Sequence, residues 1–222
     1  MLKQQAIKAI IFDFDGTLVN TVDVFLKMFL EIGSRYGNGV TAGDFYAKNG
    51  MPARDSIRSY IKEGKFKWWI IPYFLLNARR MNRRINKEAA IYPQVHEVLR
   101  GLRQYYKIGL VSNNNSQNVN FLFNKFNLAS YFEHVVTRDD VRYEKPHPEP
   151  YLKMAKLLGE AAENCLAVED SPIGILAARR ANMWTCAVEH NTPQQYFEGE
   201  KAPNRFIPKI ANLSKDFIEK AY

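Results

Sequence analysis

The chain has 222 residues, 46% of them hydrophobic and 13% aromatic, which excludes an intrinsically disordered protein and allows a substantial core in one or two domains. The longest apolar run, WWIIPYFLL at 68–76, is far too short to cross a bilayer, so we expect no membrane insertion. The net charge of +8 is concentrated in one segment, because residues 22–90 hold 13 Lys/Arg and 6 Asp/Glu (+7) and the remainder holds 18 and 17 (+1). A nucleic-acid partner is therefore not expected.

Short apolar runs without polar alternation recur along the chain, and they predict parallel strands that are covered on both faces. The predicted strands are 9–12, 107–111, 134–137, 165–168, 185–188 and 205–207. Helical patterns with recognisable end signals lie between them, at 93–104, 116–126, 149–158 and 172–181. This alternation predicts an α/β fold with a doubly wound parallel sheet, which is a Rossmann-like core.

The interval between the first two predicted strands breaks the alternation. It contains more than ninety residues, whereas a parallel crossover needs only about a dozen. Its helical patterns predict an α-helical cap over 20–90, inserted into a core made of 1–19 and 91–222. In open α/β sheets ligands bind beyond the carboxyl ends of the strands, so this insertion would cover the site like a lid. The cap helices are predicted at 21–36, 41–48, 52–62 and about 68–88.

Charged and polar residues follow four of the predicted strands. In a parallel sheet they gather at one edge, where several carboxylates cannot all stay ionised without a cation. A hard divalent cation with oxygen ligands, above all Mg²⁺, would resolve this repulsion. A lysine, a serine hydroxyl and the amides at a helix start would bind an anion, most naturally phosphate. In chain order these residues are Asp13, Asp15, Ser112, Asn113, Asn114, Lys145, Glu169 and Asp170.

Two features of the sequence, the first acidic pair and the basic, aromatic segment of the cap, also allow a simpler structural interpretation. Taken alone, Asp13 and Asp15 could be an exposed strand end before an Asp-Gly turn. Residues 62–84 mix cations and aromatic residues as a nucleic-acid or membrane surface would. We favour a helix that buries its aromatic residues against the cap and exposes a basic face to solvent. Cys165 and Cys186 lie in apolar segments without metal-ligand spacing, which favours free buried thiols and a cytoplasmic protein.

Four segments together resemble the ordered motifs of the haloacid dehalogenase-like hydrolase superfamily. They are DFDGT at 13–17, Ser112 at the end of a strand, Lys145 within KPHPEPY, and VEDSPIGILAARRAN at 168–182. The resemblance covers roughly 7–20 and 91–190. It is greatest to the branch of phosphoglycolate phosphatases and β-phosphoglucomutases, whose helical cap lies between the first and second motifs.

The resemblance implies a role for each of the matching acids. Asp13 would be the nucleophile that accepts the phosphoryl group, and Asp15 would be the general acid and then the base. The metal ligands would be Asp13, the backbone carbonyl of Asp15, and Asp170. Glu169 would be a further ligand or a neighbour of one.

The resemblance also implies where the substrate binds. Ser112 and Lys145 would hold the phosphoryl oxygens, with Asn113 as an additional phosphate-binding residue. Gly50, Met51 and Arg54 lie where relatives place cap residues that face the substrate, which makes Arg54 a candidate for substrate recognition.

The leading functional hypothesis is a Mg²⁺-dependent phosphatase that hydrolyses a small phosphorylated metabolite through an aspartyl-phosphate intermediate, as a monomer or a homodimer. A sugar phosphomutase of the β-phosphoglucomutase type uses the same core chemistry and is the first alternative. A binding module that uses the basic, aromatic cap is the second alternative, and the intact motifs argue against it. The cap sequence does not identify the substrate.

Overall fold

A computed structural model describes residues 6–222, and a six-stranded parallel sheet runs through its centre. In chain order the strands are β1 (Ala9–Phe12), β2 (Val19–Asn20), β3 (Ala90–Ile91), β4 (Lys107–Val111), β5 (His134–Val136), β6 (Cys165–Glu169), β7 (Trp184–Val188) and β8 (Arg205–Ile207). The main sheet has the order β5-β4-β1-β6-β7-β8, and each neighbouring pair in it is parallel. Strands β2 and β3 pair with each other, apart from this sheet.

Helices cover both faces of the sheet. In chain order they are α1 (Val22–Tyr36), α2 (Ala42–Tyr46), α3 (Ala53–Lys62), α4 (Ile70–Glu88), α5 (Val95–Leu102), α6 (Ser116–Lys125), α7 (Glu149–Leu158), α8 (Pro172–Arg180) and α9 (Lys215–Ala221). Along β1, Ile10 and Phe12 face a core built with α5, α6 and α9, whereas Ala9 and Ile11 face α7 and α8. All four β1 residues are completely buried, as a central strand between two helical layers requires. The prediction of an α/β fold with a doubly wound parallel sheet is confirmed.

Helices α1 to α4 lie between β2 and β3, which pair antiparallel with Val19 opposite Ile91 and Asn20 opposite Ala90. The chain therefore leaves and re-enters the core through one short, two-stranded link. We propose that this link separates the cap from the core, close to the limits of 20 and 90 expected from the sequence. The first five residues of the core segment 1–19 lie outside the described residues.

The limits of most predicted elements lie within about two residues of those observed, and the differences have simple physical causes. Strands β2 and β3 have two residues each, which is too short to show any periodicity. Helix α9 has only seven residues, and we did not predict it. Such short elements are stabilised by their tertiary contacts more than by local pattern.

Helix α4 follows the prediction on one side only. The preceding residue Phe66 and Ile70 are buried in the cap, but Trp68, Leu75 and Leu76 are 72%, 73% and 84% exposed. The prediction that this segment buries its aromatic and apolar residues is wrong for the outer side. The other cap residues pack against α4 on one side only, at Ile70, Phe74, Met81 and Ile85, and leave the other side in solvent. Within residues 6–222, no helix combines the length and the apolar character needed to cross a membrane.

Candidate active site

The strand order brings the predicted site residues to one edge of the sheet. Strand β1 lies between β4 and β6, and all three are parallel. Asp13 directly follows β1, Ser112 directly follows β4, and Glu169 is the last residue of β6 with Asp170 next to it. The backbone N–H of Asp13 still donates to the carbonyl of Val168 at 2.9 Å, so the sheet ladder continues into the site. The carboxyl ends of the central strands thus form its floor, as is general for open α/β sheets.

Lys145 is at the centre of a buried charge cluster. Its Nζ lies 2.7 Å from Asp13 Oδ1 and 2.7 Å from Glu169 Oε1, and it also donates to the carbonyl of Val111 at 3.0 Å. Burial by itself lowers the pKa of Lys145, but the two carboxylates outweigh burial and raise it above its ordinary value. Lys145 therefore supplies a fixed positive charge beside Asp13.

Glu169 is saturated by donors from the protein. Its Oε1 accepts from Lys145 and from the hydroxyl of Tyr151 at 2.8 Å. Its Oε2 accepts from the Ser171 hydroxyl at 2.9 Å and from the Ser171 N–H at 3.3 Å. A Cβ at Gly174 would collide with this carboxylate, so the start of α8 encloses it completely. Glu169 therefore holds Lys145 in place beside Asp13.

Asp15 is held by three side-chain donors. Thr21 Oγ1 donates to its Oδ1 at 2.9 Å, and Ser112 Oγ and Asn114 Nδ2 donate to its Oδ2 at 3.2 and 3.3 Å. Burial raises the pKa of Asp15, and these hydrogen bonds offset only part of that rise. A raised pKa favours the protonated form that a general acid must have before it acts.

Asp170 contacts the turn of the DFDGT motif and a loop of the cap. Thr17 Oγ1 donates to Asp170 Oδ1 at 3.4 Å and to Asp13 Oδ2 at 3.2 Å, which links the two acids. Gly16 has a φ of +91°, and a Cβ there would collide with the carboxylate of Asp170. From the cap, Asn49 Nδ2 donates to Asp170 Oδ2 at 3.2 Å. Asp170 therefore lies directly against the backbone that follows Asp15.

The buried acids have the composition of a metal site. Asp13, Glu169 and Asp170 each have a carboxylate oxygen within 4.8 Å of the others. Burial, and then the charge of Glu169, raises the pKa of Asp13 to about 7, and burial with the charges of Asp13 and Glu169 raises that of Asp170. With Lys145 protonated, three carboxylates and one ammonium leave a formal charge of −2. A divalent cation that prefers oxygen ligands matches both the charge and the donors, so these residues fit Mg²⁺.

A cavity of about 470 Å³ opens above these residues and continues into the cap. Its charged end is formed by Asp13, Asp15, Ser112 and Lys145. Its other end lies between the cap helices, mainly α1 and α4. The cavity can therefore receive a phosphoryl group at the edge of the sheet and an attached group inside the cap.

Comparison with known families agrees with this arrangement. Residues 10–188 match the family model described as haloacid dehalogenase-like hydrolase, and that range contains every acid of the site. The chain belongs to this family. It is an enzyme of the hydrolase class, and the resemblance inferred from the four motifs is confirmed.

Relatives of this haloacid dehalogenase-like hydrolase match nearly its whole length. Pyrophosphatase PpaX of Bacillus cereus (strain AH820) is 32% identical over 209 residues, which is 93% of this chain and 94% of the relative. A haloacid dehalogenase-like protein of unknown function from Agrobacterium tumefaciens has a TM-score of 0.81 at 20% identity and covers 98% of this chain and 100% of its own. A β-phosphoglucomutase from Clostridium difficile has a TM-score of 0.77 at 22% identity, with 97% of both chains covered. These two structures share the fold over both core and cap.

Asn113 lies in the site, but its side chain is already engaged. Its Nδ2 donates to the carbonyls of Gly50 and Lys145 at 3.1 and 3.2 Å, and its Oδ1 accepts from the Lys145 N–H at 3.0 Å. The expected phosphate-binding role does not suit this side chain. It instead holds the cap loop against the loop that carries Lys145.

Arg54 is not brought to the site. It is exposed on α3, and the part of α3 that lines the cavity consists of Ala53, Ser56, Ile57 and Tyr60. The structure therefore does not place Arg54 in the lining of the cavity. Gly50 and Met51 do line the cavity, whereas Arg54 lies on the side of α3 that faces solvent.

Several residues that hold the site were not identified from the sequence. Thr17 and Tyr151 lie inside the quoted motifs DFDGT and KPHPEPY, so the motifs contained a signal for them. Thr21 and Asn49 lie outside those quoted motifs. Thr21 reaches Asp15 from six residues further along the chain, whereas Asn49 reaches Asp170 only because the cap packs against the core.

Proposed function

We propose that the protein is a Mg²⁺-dependent phosphatase that hydrolyses a small phosphorylated metabolite through an aspartyl-phosphate on Asp13. The observation that carries the proposal is that Asp13 and Asp15 line the charged end of one cavity together with Lys145 and Ser112. One carboxylate is held by a lysine and the other by neutral donors. Such a pair can divide nucleophilic attack and proton transfer between two groups.

The reaction takes two steps. In the first, a carboxylate oxygen of Asp13 forms a bond to phosphorus while the P–O bond of the ester breaks, and Asp15 gives its proton to the departing oxygen. In the second, the ionised Asp15 takes a proton from water, the water oxygen bonds to phosphorus, and the P–O bond to Asp13 breaks. Inorganic phosphate leaves, and both aspartates return to their starting forms.

Lys145 is the group best placed to respond to this change of charge. An ammonium has three donors, and all three are engaged by Asp13, Glu169 and the carbonyl of Val111. When Asp13 becomes an ester it loses its negative charge, and the donor that it held becomes available to a phosphoryl oxygen. We propose that Ser112 and Lys145 hold the phosphoryl group and that Glu169 and Tyr151 keep Lys145 in place.

Asp13 and Asp170 are the carboxylates that would hold Mg²⁺, with the backbone carbonyl of Asp15 assigned from the family motif. When bound, the ion neutralises negative charge on the transferring phosphoryl group. Asp170 suits this role because only the neutral donors Thr17 and Asn49 bond to its carboxylate. Its oxygens therefore keep lone pairs that can bind a cation. Cys165 and Cys186 are buried free thiols, which supports a reducing cytoplasm as the location that we propose.

The test is phosphate release from p-nitrophenyl phosphate with Mg²⁺, with excess chelator, and with the Asp13→Asn variant. We expect turnover only in the wild-type protein with the metal. Asp139→Asn is the matched control, because Asp139 also follows a strand but caps α6 through Ser116. Full activity in chelator would contradict the metal dependence. Transfer of labelled phosphate to a sugar phosphate in preference to water would favour the phosphomutase alternative.

A further inference from the structure

Most of the cavity is apolar, although the proposed chemistry uses only its charged end. Its inner wall is made by side chains of α1, α3 and α4 that also belong to the hydrophobic clusters of the cap. Prominent among them are Phe25, Met28, Phe29, Tyr60, Phe74 and Met81. A cavity of this size is in the range of small-molecule sites, and a phosphoryl group fills only its mouth.

The cations that line the cavity are already paired or lie at its rim. Lys48 Nζ is 2.8 Å from Glu63, and Lys145 is held as described. The Arg138 side chain is 46% exposed at the rim. Glu144 also lines the cavity and would repel a second anionic group. The other polar residues of the lining are uncharged, and toward the cap they include Asn82, Asn86, Asn115 and Asn118.

A second charged group on the substrate would therefore be buried without a counter-ion, which is unfavourable. An apolar group would instead gain free energy by leaving water. Resting on the phosphatase function proposed above, we propose that the substrate is a phosphate monoester whose alcohol part is an extended apolar group, of the alkyl, isoprenyl or aryl type. Pyrophosphate, to which the name of the Bacillus relative points, is charged at both ends and does not match this cavity.

The test is a series of n-alkyl phosphates from ethyl to decyl, with saturating Mg²⁺ and concentrations below micelle formation. Transfer of a methylene group into an apolar site predicts an increase in kcat/KM of about three- to fourfold per methylene, up to a plateau when the cavity is full. Pyrophosphate and 2-phosphoglycolate are compared at the same concentrations and should be poorer than octyl phosphate. A flat profile, or a preference for the doubly charged compounds, overturns the substrate class and leaves the phosphatase intact. No hydrolysis of any monoester overturns the proposed function itself.

Variants locate the effect in the cap. Ala78→Phe places a ring where α4 lines the cavity, and it should lower the chain length at which the plateau begins. Met81→Glu places a carboxylate in the same wall and should flatten the dependence on chain length. Arg58→Ala is the control on an exposed position of α3 outside the cavity lining, and it should keep the wild-type profile. An unchanged profile in both Ala78→Phe and Met81→Glu would contradict binding in this cavity.

A separate observation concerns the outer face of α4 and the turn before it. Of the eleven large hydrophobic residues that are exposed among residues 6–222, five lie within 68–76. At helical spacing they form one stripe, which continues along the helix as Arg79 and Arg83. We name this surface the α4 stripe; it consists of Trp68, Trp69, Ile71, Leu75, Leu76, Arg79 and Arg83.

The charge around the α4 stripe indicates its partner. Residues 64–87 contain seven Lys/Arg and no Asp/Glu. A tryptophan- and leucine-rich face next to arginines is the composition of helices that lie in a membrane interface, where the apolar side chains enter the headgroup region and the cations meet anionic lipids. We infer that the α4 stripe docks on an anionic lipid surface, without spanning it. This inference does not depend on the substrate proposed above.

The test is co-sedimentation with vesicles of phosphatidylcholine, with and without phosphatidylglycerol. We expect binding to the anionic vesicles, reduced by salt, and a blue shift of tryptophan fluorescence. Leu75→Ser with Leu76→Ser should weaken binding by at least about tenfold. Leu152→Ser with Leu157→Ser is the matched control, because these leucines are exposed on α7 in the core (44% and 43%).

Three results would overturn the membrane assignment. One is no binding to vesicles of either composition. Another is a dimer that depends on Leu75 and Leu76 while vesicle binding is absent, which would make a second copy of the chain the partner. The third is binding to heparin or nucleic acid that is unaffected by the loss of Leu75 and Leu76, with no binding to vesicles.

Discussion

The core and the cap solve the problem of buried polarity in opposite ways. At the edge of the sheet, Asp13, Lys145, Glu169 and Asp170 are almost completely buried, and each has hydrogen-bond partners in the core. In the cap, the cavity walls are mainly apolar and most of the charges lie outside them, many on α4. Buried charges demand a defined geometry because an unpaired one is costly. An apolar wall, by contrast, has no partners to satisfy, and only the volume and shape of its side chains must fit.

This difference suggests that the core sets the reaction and that the cap sets the choice of substrate. In the core, the charges hold one another in place whatever group occupies the cap. The cap touches that machinery at few points, chiefly Thr21 on Asp15, Asn49 on Asp170, and Gly50 against Asn113. We therefore expect core substitutions to affect all substrates alike, and cap substitutions to act according to the substrate.

The largest effect is expected from Asp13→Asn. The amide is not a nucleophile, so kcat should fall by at least ~10⁴-fold for every substrate. Mass spectrometry of the quenched enzyme should show phosphate on Asp13 in the wild type and none in the variant. Turnover that persists in Asp13→Asn, or phosphate found on Asp15 in the wild type, would disprove the assignment of the nucleophile.

Asp15→Asn should have the next largest effect and should depend on the leaving group. General acid–base catalysis is typically worth ~10²–10⁴-fold, so alkyl phosphates should lose this factor in the first step and aryl phosphates less. Because the variant also activates water poorly, the phosphorylated Asp13 should accumulate with p-nitrophenyl phosphate. Equal losses for alkyl and aryl phosphates, without accumulation, would contradict the proton-transfer role.

Glu169→Gln and Asp170→Asn should separate the positioning of Lys145 from metal binding. Loss of a residue that orients a functional group typically costs 10–100-fold, so we expect a decrease of about that size for Glu169→Gln. Glu169→Gln should keep the rise in Tm that Mg²⁺ produces, whereas Asp170→Asn should lose it. Differential scanning fluorimetry with and without Mg²⁺ makes the comparison, and loss of the shift in Glu169→Gln alone would reverse these two roles.

Stabilisation by Mg²⁺ should grow with pH. The pKa of Asp13 is raised from 3.8 to about 7 in the folded state, so between about pH 4 and 7 the folded protein without metal binds more protons than the unfolded chain and loses stability as the pH rises. A bound Mg²⁺ would pair with the ionised carboxylates and remove this penalty. At about 100 times its dissociation constant it should add ~2.7 kcal/mol. We expect a clear rise in Tm at pH 8 and little at pH 5; a larger shift at pH 5 would contradict the ligand set.

The smallest effect is expected from Arg54→Ala. Arg54 is exposed and outside the cavity lining, so kcat/KM for alkyl and aryl phosphates should stay within about twofold of the wild type. Steady-state kinetics with both substrate types measure this. A rise of more than tenfold in KM for one substrate would restore Arg54 as a recognition residue and place the substrate outside the cavity.

Much of the core could be predicted from the sequence because its signals are local. Continuous apolar runs identified the six strands of the main sheet, and the polar residues after them identified the acids that the structure brings together. The role of Asn113 could not be predicted, since its amide is engaged by Gly50 and Lys145, which are distant in sequence. The outer side of α4 was also mispredicted, because helical periodicity shows that a face is apolar and does not show whether a neighbour covers it.

The sequence by itself determined the α/β class, the presence of an inserted helical segment and the acids that share one sheet edge, because the order of strands and the side-chain periodicity within them follow from short-range physics. Only the tertiary structure decided that Glu169 holds Lys145, that Arg54 points away, and that the cavity in the cap is apolar. Those features depend on which helix faces meet across the cap and on which donors reach a carboxylate from distant parts of the chain. The volume of a cavity and the hydrogen bonds between distant residues exist only after the chain has packed, so no local sequence pattern encodes them.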